Sequence, residues 1–139
     1  MATEEVLLRG SCLCGLVAYR VQDAFEYSFY CHGSDCRRAT GAAAKPFAGV
    51  RTDRLEIVSG AEHVMRYGAG GPNHDAHCGR CGSLLYSLVR GGAYVHVTLG
   101  TLIDSPSLRP SAHIFVGSKA PWEVICDGLP QFEKFPPQQ

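Results

Sequence analysis

The sequence predicts a mostly β fold: short antiparallel strands, one short helix, and a zinc staple. Three observations predict it. The 139 residues include 16 glycines, which favour many tight turns over long helices. The apolar runs alternate with period 2 rather than 3.6. Two cysteine-containing turns far apart in the chain have the spacing of two halves of one metal site.

The strands follow in order. Gly15 to Val21 reads as a strand after a cysteine-rich turn, and Glu26 to Cys31 as one that ends on a cysteine. Leu55 to Val58 is short and stops near Gly60. Ser83 to Val89 and Ala93 to Leu99 flank Arg90-Gly91-Gly92, a hairpin signal. In the second of these runs Tyr94, His96 and Thr98 share one face, and Val95, Val97 and Leu99 the other. His113 to Val116 is a last short strand. Only Ser34 to Ala44 looks helical, with Ser34 or Asp35 as cap and Gly41 as stop. From Pro130 onward the chain is expected to run over the surface. No repeat, linker or low-complexity tract divides the chain.

Composition narrows the function. Hydrophobic residues make up 45%, enough for one core, and 13 basic residues balance 13 acidic ones. A neutral chain argues against a field-driven nucleic-acid or membrane-surface binder. No apolar run approaches a membrane span, and Met1 to Gly10 reads as neither signal nor transit peptide, so a cytoplasmic setting is expected. In such a reducing setting, seven cysteines point to metal or catalysis before disulfides.

Six of the seven cysteines fall in close pairs. Cys12-Leu13-Cys14-Gly15 and Cys78-Gly79-Arg80-Cys81-Gly82 each put two thiols on a turn followed by glycine. Together they offer four thiolates, a closed tetrahedral zinc site. Four core cysteines or a redox C-x-x-C are the rival readings. The third pair, Cys31 and Cys36, brackets His32 and Asp35 and opens the helical segment. There a thiolate is favoured, and the four residues form a candidate acid–base or thiol site. The rival is a buried strand cysteine and a helix core cysteine. Cys126 reads as a small apolar residue.

These residues resemble the glutathione-dependent formaldehyde-activating enzyme family. The pieces that match are Gly10-Ser11-Cys12-Leu13-Cys14-Gly15, Cys31-His32, Asp35-Cys36-Arg37-Arg38-Ala39-Thr40-Gly41, and Cys78-Gly79-Arg80-Cys81-Gly82. They continue with Gly100-Thr101-Leu102, His113-Ile114-Phe115-Val116 and Ser118-Lys119-Ala120-Pro121-Trp122. The likeness spans residues 8–133 as one domain and leaves 134–139 as a tail. It implies a β-tent fold, a structural zinc on Cys12, Cys14, Cys78 and Cys81, and a second, catalytic zinc on three cysteines. Cys31 and Cys36 answer to two of those three; the third position is Gly33. Another residue, such as Asp35, His77, His96 or His113, would have to complete that site, or the site works without metal. A cysteine placed at position 33 would supply the third thiolate.

The activity implied is that of a carbon–sulfur lyase acting on a glutathione adduct or another small electrophile, with glutathione as co-substrate. The rivals are a glutathione or small-molecule carrier without turnover, a metal-free acid–base enzyme on a substrate other than glutathione, and a structural zinc protein whose second site has decayed. Among other residues, His113 reads as core or site, and His96 as solvated or facing a pocket. His74 and His77 read as loop. Lys119, Arg37 or Arg38 could meet an anionic ligand, and Trp122 reads as a lid over the core.

Overall fold

The computed structural model describes residues 5–68 and 71–137. Residues 138 and 139 of the expected tail lie outside them, as do Met1 to Glu4 of the N-terminal reading. The described residues form two sheets and one α-helix. The smaller sheet holds β1 (Leu7–Ser11), β2 (Ala18–Gln22) and β5 (Leu55–Ser59), all antiparallel, in the order β1-β2-β5. The larger holds β3 (Tyr27–Cys31), β4 (Lys45–Arg51), β6 (Val64–Tyr67), β7 (His74–Cys78), β8 (Leu84–Val89), β9 (Tyr94–Thr98) and β10 (His113–Ile114). Their order is β10-β3-β4-β9-β8-β7-β6, antiparallel except for β10 beside β3.

The mostly β class and the single helix are as expected. The helix α1 (Ser34–Thr40) ends at Gly41, whose φ of 66° needs no Cβ to be accommodated. Its start differs from the expectation: Gly33, not Ser34 or Asp35, is the N-cap, and no side chain caps it. Four strands were not read from the sequence: β1, β4, β6 and β7. His74 and His77 therefore sit in a strand, not a loop.

The dry core lies between the sheets. Leu8, Val17, Tyr19 and Val21 from the smaller sheet side meet Val50, Ala76, Leu85, Tyr86, Val95 and Val97 from the larger. Gly10 is required there: a Cβ on it would stand 2.1 Å from the Tyr19 ring. Buried Tyr19 donates its O–H to Thr101 at 2.7 Å, because the Thr101 hydroxyl already donates to the Thr98 carbonyl.

The larger sheet has a second face of different chemistry. Residues paired directly across strands share a face, as do residues two apart along one strand. Cys31 pairs with Lys45, Gly49 with His96, His96 with Ser87, and Ser87 with Asp75. Those side chains leave the side away from the dry core, where α1 packs through Cys36 against Cys31 and Phe47.

The C-terminal segment runs over the surface as expected and is held there by backbone bonds. Gln131 bridges His113 in parallel, and the Phe115 N–H donates to the Lys134 carbonyl at 3.1 Å. No helix among the described residues is long and apolar enough to cross a membrane.

Candidate functional site

The two cysteine turns meet. Cys12 and Cys14 sit between β1 and β2; Cys78 ends β7 and Cys81 lies in the turn to β8. Their four sulfurs all lie within 4.8 Å of one another. Cys12 Sγ is 3.7 Å from Cys14 Sγ, and Cys14 Sγ is 3.8 Å from Cys78 Sγ. Sulfurs arranged tetrahedrally about an ion at bonds of about 2.3 Å would be about 3.8 Å apart, so the cluster fits such an ion. Gly15 and Gly82 take φ of 81° and 83°, which turns the backbone back after each pair. The Val17 N–H donates to Cys12 Sγ at 3.3 Å and the Arg80 N–H to Cys78 Sγ at 3.4 Å, the partners a thiolate needs. A metal here would tie the tip of the smaller sheet to the β7–β8 turn of the larger.

The third pair lies elsewhere, on the polar face of the larger sheet. Cys31 ends β3, buried, and Cys36 comes down on it from the first turn of α1. The neighbouring Cys36 thiol first, then the Gly33 backbone and the positive charge of Lys45, hold the Cys31 thiol down at about 7. The neighbouring Cys31 and burial push Cys36 up.

Lys45, which the sequence reading passed over, is the charge of this site. It is Cys31's register partner, and it is buried. Its Nζ donates to Ser87 Oγ at 2.9 Å, and Ser87 Oγ donates to Asp75 Oδ1 at 2.6 Å. His96, on the same face, is stacked on Phe47 and bonded to the Tyr27 hydroxyl at 2.7 Å. Burial, with Lys45 and Arg90 nearby, drives its pKa down to about 3, so it stays neutral. A cleft of about 560 Å³ opens between α1 and β7, lined by Asp35, Arg38, Ala39, Tyr67, Asp75 and His77.

Of the expected site residues, Cys31 and Cys36 come together. Asp35 lies at the cleft mouth, its exposed carboxylate accepting from Arg38 at 3.1 Å. His32 leaves the strand on the opposite side from Cys31. There its Nε2 lies 2.8 Å from His113 Nδ1, and His113 Nε2 lies 2.8 Å from an Asp127 carboxylate oxygen. Asp127 can only accept, so His113 donates to it from Nε2. His32 Nδ1 is left buried and without a partner. This chain borders a separate cavity of about 380 Å³ that also includes Tyr30, Pro46 and Cys126. Cys126 lines that cavity and is exposed, and Trp122, also exposed, does not cover the core.

The second metal site finds too few ligands. Among the described residues, the four-cysteine cluster is the one set of three or more His, Cys, Asp or Glu side chains at ligating distance from one another. Gly33 offers no donor, and His77, His96 and His113 do not join the Cys31–Cys36 pair. Two thiols beside a buried ammonium do not fit a catalytic zinc, which needs three protein ligands.

Comparison with known proteins agrees with this architecture. The model of the family described as glutathione-dependent formaldehyde-activating enzyme matches residues 7–118. The chain belongs to that family. A Halomonas elongata protein named "Putative glutathione-dependent formaldehyde-activating enzyme" is 33% identical over 129 residues, covering 86% of this chain and 82% of that protein. A crystal structure of a Rhodobacter sphaeroides protein superposes with a TM-score of 0.59 at 28% identity, covering 71% of this chain and 91% of the other. Family membership links the chain to glutathione-related chemistry of a carbon–sulfur adduct, on a small-molecule substrate.

Proposed function

We propose that this family member is a carbon–sulfur lyase that makes and breaks the adduct of a thiol, glutathione first among them, with a small aldehyde. The observation that carries the reading is the Cys31–Cys36 pair, buried under α1 next to Lys45. In the forward direction the Cys31 thiolate takes the proton from the substrate thiol. The new thiolate adds to the carbonyl carbon, a C–S bond forms, and the π pair moves to oxygen. Cys31 then returns the proton to that oxygen, so one group serves as base and acid. Cys36 holds the Cys31 anion by its S–H bond, and the Lys45 ammonium favours both anionic stages. Asp35 and Arg38 at the cleft mouth are the groups that would meet the charged ends of a glutathione-sized ligand.

The four-cysteine cluster takes zinc on this reading. Cys12, Cys14, Cys78 and Cys81 would fill its coordination shell and leave no open position, so the ion supplies a cross-link between the two sheets and no reaction step. The free thiols among the described residues suit the reducing cytoplasm.

Glutathione with a panel of small aldehydes tests the reading. A lyase speeds adduct exchange at protein concentrations far below those of the reactants. A carrier would only retain adduct one-to-one, and that result would overturn the proposal.

A further inference from the structure

The family's second site calls for a dication between three thiolates, and this chain offers two thiols and a lysine. We propose that the Lys45 ammonium is the resident cation of the Cys31–Cys36 site and excludes a second metal ion from it.

Lys45 and Cys31 are paired across β3 and β4, so both side chains leave the same face at adjacent sites. Lys45 is 5% exposed, and Cys31 is 6% exposed. An ammonium that deep in a protein requires anions and acceptors around it. Its bonding identifies them. The single Ser87 proton goes to Asp75 at 2.6 Å, so Ser87 meets Nζ with a lone pair and Nζ is the donor. Asp75 thereby stands one hydroxyl away from the ammonium as its first counter-charge. Nζ keeps two further N–H groups; the Phe47 ring lies 6.0 Å from it, and the Cys31–Cys36 pair shares its side of the sheet. The lysine belongs to a strand, is anchored by a serine on a second and backed by an aspartate on a third, so it is fixed in place.

The missing ligand is consistent with this arrangement. Gly33 has ordinary extended backbone, φ −59° and ψ 148°. A Cβ there would stand 3.4 Å from Cys31 Sγ and 3.7 Å from Phe115 Cβ, which is normal contact. Nothing steric keeps a third cysteine out. What opposes a dication is the neighbouring positive charge, whose repulsion is strong where water cannot screen it. A third thiolate alone would therefore not bring the second ion back. The lysine must go as well.

This inference needs the Cys31–Cys36 pair but not the adduct chemistry, so metal counts decide it and exchange rates decide the function. Zinc per chain is measured by elemental analysis after dialysis, with folding checked by circular dichroism. The parent, Gly33→Cys and Lys45→Met should each hold one zinc, and Gly33→Cys/Lys45→Met should hold two. A parent with two, a Gly33→Cys single variant with two, or a folded double variant with one would each overturn the proposal. A second measurement uses the parent alone, in case the double variant fails to fold. With excess zinc, iodoacetamide should still label Cys31 while Cys12, Cys14, Cys78 and Cys81 are protected. Protection of Cys31 by zinc would contradict the assignment.

Discussion

Cys31 and Lys45 face each other across two paired strands, one at the end of β3 and the other at the start of β4. The 13 residues between them hold the whole of α1, which returns Cys36 to the same spot. A connection that closes over its own strand ends builds a thiol–thiol–ammonium group from three local pieces. Its chemistry depends on charge placement.

Thiolate character at Cys31 should show in its reactivity. The neighbouring Cys36 thiol, the Gly33 backbone and Lys45 all favour the anion and hold its pKa at about 7. A group lowered in this way gains thiolate as pH rises through about 7, below the ~8.5 of a free cysteine. Alkylation of Cys31, followed site by site by mass spectrometry, should climb between about pH 6 and 8 and then level off. In Cys36→Ala the curve should move up toward the free-thiol range. A Cys31 profile that is unchanged in Cys36→Ala would count against the pair.

The metal cross-link should govern stability. Cys78 is buried and its sulfur also accepts from the Arg80 and Cys81 amides. Cys78→Ser loses a thiolate ligand, and structural zinc contributes to folding through its binding energy. A loss of several kcal/mol would lower the melting temperature by roughly 10–20 °C for a domain of this size. Chelation of the parent should have a similar effect. An unaltered melting curve in Cys78→Ser would rule the staple out.

The His32–His113 bond predicts a different kind of loss. Both rings are buried, and His32 Nε2 lies 2.8 Å from His113 Nδ1. His113→Leu leaves His32 Nε2 unpaired in the interior, which costs about 1–3 kcal/mol. Urea unfolding at neutral pH should show a lower midpoint with an unchanged slope. A change under about 0.5 kcal/mol would mean that the bond adds little.

Much of the frame was legible in the chain. The alternation of Tyr94, His96 and Thr98 against Val95 and Val97 gave the two faces of β9, and Gly41 marked the end of α1. The two cysteine turns announced their own meeting, because ligand spacing survives without tertiary information. β4 was not legible, since Lys45-Pro46-Phe47-Ala48-Gly49-Val50 is nearly all buried and contains both Pro and Gly. β7, His74-Asp75-Ala76-His77-Cys78, is mostly polar and becomes a strand by pairing with β6 and β8. The charge of the thiol site was hidden for the same reason. Lys45 acts through Ser87 and Asp75, partners 42 and 12 residues apart in successive steps, and no local motif marks it. Asp127 likewise reaches His113 only through the fold of the C-terminal segment.

The most direct test of the account is the exchange rate between formaldehyde and its glutathione adduct, followed by two-dimensional exchange NMR with carbon-13 formaldehyde. Parent protein in catalytic amount, its metal content checked, should raise the rate well above the uncatalysed exchange. Cys31→Ser should lose at least about tenfold of that acceleration, a change of about 1.4 kcal/mol in barrier, while Cys126→Ser keeps it. A Cys31→Ser protein that is folded, holds its zinc and exchanges as fast as the parent would contradict the assignment of the reaction to the Cys31–Cys36 pair.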